Sequence, residues 1–190
     1  MQRKILPSLL AILSSLALNL LGETELPAMF GDHMVLQRDK PVPVWGWSEE
    51  DQEVKVTFGG KSASARAGKD GRWEVRLPAM KASDQGRELT IEGSKKIIIK
   101  DVLVGEVWVC SGQSNMEWSV NGALNPNEEK QAADHPKIRH IKVPKILSDS
   151  HERNFKAKWQ VCSPATAGGF TAVGYYFGRT LMGQLDVPIG

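Results

Sequence analysis

The stretch VWVCSGQSNMEW, Val107 to Trp118, joins an apolar run to a small polar turn. Its four apolar residues, Val107 to Cys110, are typical of a parallel strand that is covered on both faces. Gly112 then allows a sharp turn, and the residues that follow fit the start of a helix. The pattern therefore predicts that Ser114 lies exposed at the carboxyl edge of a parallel sheet, where open α/β sheets bind their ligands.

Residues 101–190 continue with alternating strand and helix patterns, which predict the start of an α/β domain. Glu128 to Ala133 fits a helix, whereas Ile138 to Val143 and Trp159 to Cys162 fit strands. From Thr171 the helical period is strong, and its apolar stripe predicts the face that packs on the core: Val173, Tyr176, Phe177, Thr180, Leu181, Gln184 and Leu185. Val187 to Ile189 then has the pattern of a strand opening.

Residues 23–100 have a different pattern, made almost entirely of short strands and turns. Val42 to Trp47, Glu53 to Phe58 and Arg72 to Leu77 alternate with period two, and Gly59-Gly60 is a hairpin turn signal. Short strands with turns at even spacing predict an antiparallel β-sandwich. We expect this sandwich to have no catalytic role.

Residues 1–22 have the composition of a secretory signal peptide. Arg3 and Lys4 precede an apolar run from Leu9 to Leu21, which is shorter than the roughly 20 clean apolar residues of a membrane span. Cleavage after Ala17 or after Gly22 fits the small residues there. The sequence thus predicts a secreted or periplasmic protein without a membrane anchor after cleavage, the alternative being a buried N-terminal helix.

The charge and cysteine content limit the partners of the mature chain. Without Arg3 and Lys4, the 24 Lys and Arg of the chain fall to 22, which equals the 22 Asp and Glu. A net charge of zero argues against nucleic acid or an anionic membrane as the main partner. Cys110 and Cys162 lack metal-ligand spacing, so we expect no metal and no cofactor. Whether these two cysteines form a disulfide stays open.

Two interpretations of Ser114 follow from its position. A serine just before a helix commonly caps the helix through its hydroxyl. The same position also places a hydroxyl near unpaired N–H groups, which can stabilise an oxyanion. The short pattern alone favours the capping role.

The longer string changes this interpretation. DVLVGEVWVCSGQSNMEW, together with MFGDHMVLQRDKPVPVWGW, DGRWEVRLP and WQVCSPATAGGFTAVGYYFGRTL, resembles the sialate O-acetylesterase family of SGNH-type carbohydrate esterases. The resemblance runs from about Leu26 to the end of the chain. It implies a β-sandwich followed by a flavodoxin-like SGNH-hydrolase domain with a parallel sheet. It also implies that Ser114 attacks an acetyl carbonyl to form an acetyl-enzyme, with an oxyanion donor in its own N–H and positioning roles for Gln113 and Asn115.

The resemblance also implies a D-x-x-H block that supplies the base and its orienting acid, and the chain does not contain one. The residues three positions before His33, His135, His140 and His151 are Phe30, Ala132, Lys137 and Ser148. We therefore expect the N-terminal part of an esterase, truncated at the C-terminus and inactive alone. His135 is the remaining candidate base, although a turn role is the simpler interpretation.

One further interpretation is a glycan-binding β-sandwich module with an inert SGNH remnant. The acetylated sugar and the oligomeric state are open on sequence grounds.

Overall fold

A computed structural model describes residues 22–190, so the predicted signal peptide lies outside the described residues except for Gly22. None of the helices in the described part has the length and apolar character needed to span a bilayer. Residues 35–105 contain seven strands, and residues 106–190 contain three helices and two strands.

The bounds of the seven strands are β1 Val35–Gln37, β2 Val42–Trp47, β3 Glu53–Phe58, β4 Lys61–Arg66, β5 Arg72–Leu77, β6 Ser83–Glu92 and β7 Lys96–Gly105. Three of the seven strands, β2, β3 and β5, alternate buried and less buried side chains along their length, as period-two sequences require. The predicted bounds of β2, β3 and β5 are confirmed. The structure also confirms the tight turn at Gly59-Gly60, which joins β3 to β4.

These strands form two sheets that share one apolar core. The larger sheet has the order β1-β7-β6-β3-β4, and β2 pairs with β5 in a second sheet. Side chains from both sheets meet in the core, among them Val44 and Trp73 from the smaller sheet and Val56, Phe58 and Leu89 from the larger one. Burial of these side chains on both inner faces stabilises the pair of layers.

The larger sheet is mixed, and the prediction of a purely antiparallel arrangement is wrong on this point. β1 runs parallel to β7, with Val35 opposite Leu103 and Gln37 opposite Gly105. The reason lies in connectivity: β1 returns to the sheet edge beside a strand that is 68 residues away in sequence, so no tight hairpin constrains its direction.

The predicted boundary between the two parts, after Lys100, falls inside β7. This strand continues to Gly105, with Asp101 in the left-handed backbone region at φ 54°. The division into residues 23–100 and 101–190 stays a prediction.

The second part of the chain packs around its own apolar cluster. Its elements are α1 Ser114–Glu117, α2 Pro126–Gln131, β8 His135–His140, β9 Gln160–Cys162 and α3 Ala172–Leu185, with short 3-10 turns at Val120–Gly122 and Ala167–Gly169. The cluster collects buried residues from most of these elements: Val120, Ala133, Ile138, Cys162, Ala167, Phe170, Ala172 and Tyr175. It is separate from the core of the two sheets.

The predicted core face of α3 is wrong. Ala172, Tyr175 and Gly178 are the buried residues of this helix. Val173, Phe177 and Leu185 are 40% to 46% exposed. Small residues decide the orientation, because a Cβ on Gly178 would already lie 3.4 Å from the Ile189 side chain. The helix therefore approaches its neighbours along its small residues and leaves larger apolar side chains outside.

Candidate active site

The segment that leads to Ser114 is extended but exposed, so the predicted buried strand at Val107 to Cys110 is wrong. Val109 is 90% exposed, and Val107 and Trp108 are 37% and 48% exposed. Its pairing is limited to Glu106 and Trp108, which exchange backbone hydrogen bonds of 2.8 to 2.9 Å with Pro188 and Gly190. The backbone of Glu106 and Trp108 pairs only with residues 188–190 on one side, and the side chains of Val109 and Cys110 are exposed.

Three short segments nevertheless come together in parallel. Ile189 forms parallel bridges with Glu106 on one side and with Ile138 on the other. The N–H of Arg139 donates to the Ile189 carbonyl at 2.8 Å, and the Ile189 N–H donates to Lys137 at 2.9 Å. The chain thus leaves this parallel arrangement at Trp108, six residues before Ser114.

Ser114 is exposed and is the first residue of α1. Gly112 precedes it at φ 144° with open space around its Cα, a conformation that L side chains rarely adopt. The helix cap is Gln113, without a side-chain capping hydrogen bond. Ser114 therefore does not have the capping role, and its hydroxyl makes no hydrogen bond to any residue of 22–190.

The start of α3 holds α1 in place. The Thr171 hydroxyl donates to the Met116 carbonyl, and the Ala172 N–H donates to the Trp118 carbonyl at 2.7 Å. On its other side, Glu117 forms an ion pair with Lys145 from the loop between β8 and β9. Three contacts thus fix the short helix that carries Ser114, although the helix has no buried residue of its own.

The first turn of α1 leaves N–H groups without partners inside the helix, next to the Ser114 hydroxyl. Gln113 and Asn115 flank the serine, and both side chains are exposed. This arrangement suits the stabilisation of a negatively charged oxygen that forms near Ser114. The positioning roles of Gln113 and Asn115 stay predictions.

None of the four histidines makes a hydrogen bond to Ser114 within residues 22–190. His135 begins β8 and lines a cavity of about 370 Å³ with Met182 and Gly183, near the end of α3. Its ring also lies 6.3 Å from the ring of Tyr175, in the first turn of α3. A base for Ser114 must lie within hydrogen-bond reach of its hydroxyl, and His135 is not hydrogen-bonded to it.

The remaining histidines have other surroundings. His140 stacks on Phe170 with 4.4 Å between ring centroids. Burial, with a smaller effect of the Lys142 charge, lowers the pKa of His140 to about 4, which makes it a weak base. His151 is exposed in the loop between β8 and β9, and His33 belongs to a cluster on the sheet side.

That cluster, His33–Asp101–Arg139, joins the two parts of the chain. The Asp101 carboxylate accepts hydrogen bonds from His33 Nδ1 and from the Arg139 guanidinium, each at 2.7 Å. Arg139 is 6% exposed and also donates to the carbonyls of Pro136 and His33. Partial burial raises the pKa of Asp101, but the hydrogen bonds from Arg139 and His33 outweigh it and hold the pKa below its ordinary value. Sequence reasoning missed this cluster.

The two cysteines are free thiols. Cys110 is exposed beside Gly174 of α3, whereas Cys162 is buried with its thiol near the Ala133 carbonyl. Burial raises the pKa of the Cys162 thiol to about 11, so it remains protonated. In residues 22–190, no group of three or more His, Cys, Asp or Glu side chains could hold a metal ion.

Comparisons with known proteins identify the relatives of this chain. No family model matches it. Sialate O-acetylesterase of Homo sapiens is 30% identical in an alignment of 178 residues, and the match covers 83% of this chain and 34% of the human protein. The enzyme of Rattus norvegicus is 28% identical in an alignment of 179 residues, and the match covers 84% of this chain and 33% of the rat protein.

A solved structure agrees with these sequences. The crystal structure of a carbohydrate acetylesterase from Xanthomonas citri is 41% identical, with a TM-score of 0.83, and the match covers 88% of this chain and 39% of that one. The chain belongs to a sialate O-acetylesterase-like family. This sialate O-acetylesterase-like chain spans about a third of the length of the curated relatives that it matches. Its mixed sheet with few helices matches the fold of the Xanthomonas protein.

Proposed function

We propose that the chain is the part of a secreted carbohydrate O-acetylesterase that carries the nucleophile, Ser114. The observation that carries this proposal is the exposed Ser114 at the first position of α1, behind the turn in which Gly112 has a φ of 144°. The names of the relatives, sialate O-acetylesterase and carbohydrate acetylesterase, support an acetylated sugar as the substrate. We further propose an SGNH-type domain built on the parallel segments around Ile189, with a β-sandwich before it.

The reaction proceeds through an acetyl-enzyme. The Ser114 oxygen attacks the acetyl carbonyl and loses its proton to a base, and the N–H groups at the start of α1 stabilise the oxyanion. The sugar leaves as an alcohol after it takes up a proton. Water then attacks the acetyl group, which leaves as acetate and restores the serine.

We propose that the base and its orienting acid lie outside Met1–Gly190. The support is that no histidine of residues 22–190 hydrogen-bonds to Ser114. Burial lowers the pKa of His140 to about 4, and His33 is paired with Asp101. A serine without an oriented base is a poor nucleophile. Gln113 and Asn115 would then orient the acetyl group beside Ser114 without a role in proton transfer.

Trapping of the intermediate tests the nucleophile. Brief incubation of a longer version that carries a downstream D-x-x-H block with an activated acetyl ester such as p-nitrophenyl acetate, followed by acid quench and peptide mass spectrometry, should place an acetyl group on Ser114. The matched control is Ser111→Ala, which removes the neighbouring exposed serine and should leave the label in place. Acetylation that persists on the same peptide in Ser114→Ala would assign the nucleophile elsewhere.

Export is the second element of the proposal. The Arg3-Lys4 start and the short apolar run support removal of the first residues by a signal peptidase. We expect N-terminal sequencing of the exported protein to begin after Ala17 or after Gly22. A mature protein that still begins near Met1 would contradict export by this route.

A further inference from the structure

Trp118 lies four residues after Ser114 and is 61% exposed. An indole ring buries a large apolar area when it is covered, so a tryptophan left mostly in water beside a candidate active site is a candidate ligand contact. No aromatic ring of residues 22–190 packs on it. Trp108, the other exposed tryptophan, packs edge to face on Phe177 with 5.0 Å between centroids.

The ring of Trp118 is exposed but held. A Cβ added at Gly122 would lie 2.5 Å from the indole Nε1, so the ring lies directly against this glycine and a larger residue there would displace it. The backbone of Trp118 is held as well, since its carbonyl accepts from Ala172 at 2.7 Å and its N–H donates to Asn115 at 3.3 Å. A side chain fixed before binding loses less conformational entropy when a ligand arrives.

The position of the ring suits contact with a sugar ester. Trp118 is the C-cap residue of α1, directly after the four-residue helix that begins at Ser114, with a non-helical ψ of 121°. One turn of backbone therefore joins the nucleophile to the residue that carries the indole. The C–H face of a pyranose is apolar and flat enough to stack on an aromatic ring, while the exposed Asn115 side chain on the same turn can hydrogen-bond its hydroxyl groups.

We propose that Trp118 is the stacking platform for the pyranose ring of the acetylated sugar, and that Gly122 is the small residue that lets the ring lie in this position. This inference rests on the proposed function, because it assigns the sugar contact of the same site. Trp118 acts as a binding residue and takes no part in proton transfer.

Binding measurements on the 190-residue chain test the platform separately from the chemistry. Saturation-transfer NMR would be recorded with two probes, N-acetylneuraminic acid, which is charged, and methyl β-glucopyranoside, which is neutral. We expect saturation of the sugar C–H protons by the parent chain with at least one probe, which also shows the class of sugar preferred. Trp118→Ala should weaken the association about tenfold, the order expected for loss of one aromatic stacking contact.

Three variants make the result specific. Trp118→Phe should retain part of the binding, whereas Trp118→Leu, which is apolar without a flat ring, should behave like alanine. Trp108→Ala is the matched control, because it removes the other exposed indole, and it should bind like the parent chain. Folding of every variant is checked by circular dichroism, and Trp118→Phe keeps the test valid if the alanine variant unfolds.

The outcomes separate this inference from the proposed function. Absence of sugar binding by the parent chain, or equal binding by Trp118→Ala and Trp108→Ala, would overturn the assignment of Trp118 as the residue on which the sugar stacks. A failure to acetylate Ser114 would overturn the nucleophile without affecting the binding result.

Discussion

The 190-residue chain will hydrolyse an acetylated sugar far more slowly than a longer version that carries a D-x-x-H block downstream. We expect the difference to be on the order of 10⁴ or more, because the Ser114 hydroxyl has no hydrogen-bonded base within residues 22–190. Residual turnover can come only from binding and from the N–H groups at the start of α1. Release of acetate, measured for both proteins under the same conditions, gives the comparison.

Substitutions in the longer version identify the nucleophile. Ser114→Ala should abolish its activity, whereas Ser111→Ala, in the same exposed turn, should keep most of it. Equal rates for the 190-residue chain and the longer version would mean that a histidine within this chain serves as the base. His135 would then be the first histidine to replace, and the assignment of the base to residues outside Met1–Gly190 would be wrong.

Asp101→Asn will destabilise the protein by about 2 kcal/mol at pH 7, as measured by urea unfolding. The substitution keeps the shape of the side chain and tolerates the left-handed backbone at this position, but it removes the charge that faces the buried Arg139. Loss of one partner from a fully buried pair costs about 3–5 kcal/mol. We expect less here because the Asp101 side chain is 37% exposed to solvent.

An exposed ion pair on the same strand provides the control. Lys137 pairs with Asp84 at 2.9 Å, and the Asp84 side chain is 58% exposed. Asp84→Asn should destabilise the protein much less than Asp101→Asn, as is usual for surface pairs. Equal effects of the two substitutions would show that Arg139 does not depend on Asp101.

The pH dependence of stability gives a second check on Asp101. Its pKa is lowered in the folded protein, so the stabilising contribution is fully present above the unfolded pKa of about 3.9 and is lost as the pH falls through the folded pKa. The difference in unfolding free energy between the parent chain and Asp101→Asn should therefore shrink below about pH 4. A difference that stays constant down to pH 3 would contradict this explanation.

Local patterns in the sequence were sufficient to predict the positions of several strands of the two sheets. The strands from Val42 to Trp47 and from Glu53 to Phe58 could be located because alternation has a short period and their flanking turns are marked by Gly and Pro. The position of Ser114 at the start of a helix could also be predicted, since Gly112 and the residues after it determine the local backbone. These features depend on neighbours a few residues away.

Two of the wrong predictions concern which surfaces are covered, and residues distant in sequence decide this. Val107 to Cys110 has a composition typical of burial, yet its residues are exposed, and its backbone pairing with residues 188–190 ends at Trp108. In α3, the apolar residues indicated one face, but Ala172 and Gly178 allow closer approach on the other. The apolar character of the side chains indicates which residues gain from burial. Which face of a helix is buried also depends on how near two backbones can come.

The sequence by itself determined the strands, the turns, the exposed serine and the resemblance to an esterase family, because each depends on residues that are adjacent in the chain. Only the tertiary structure decided that His33, Asp101 and Arg139 meet, that β1 runs parallel to β7, and that His140 stacks on Phe170. Contacts across 38 to 106 residues depend on the packing of whole layers, so no local pattern reveals them.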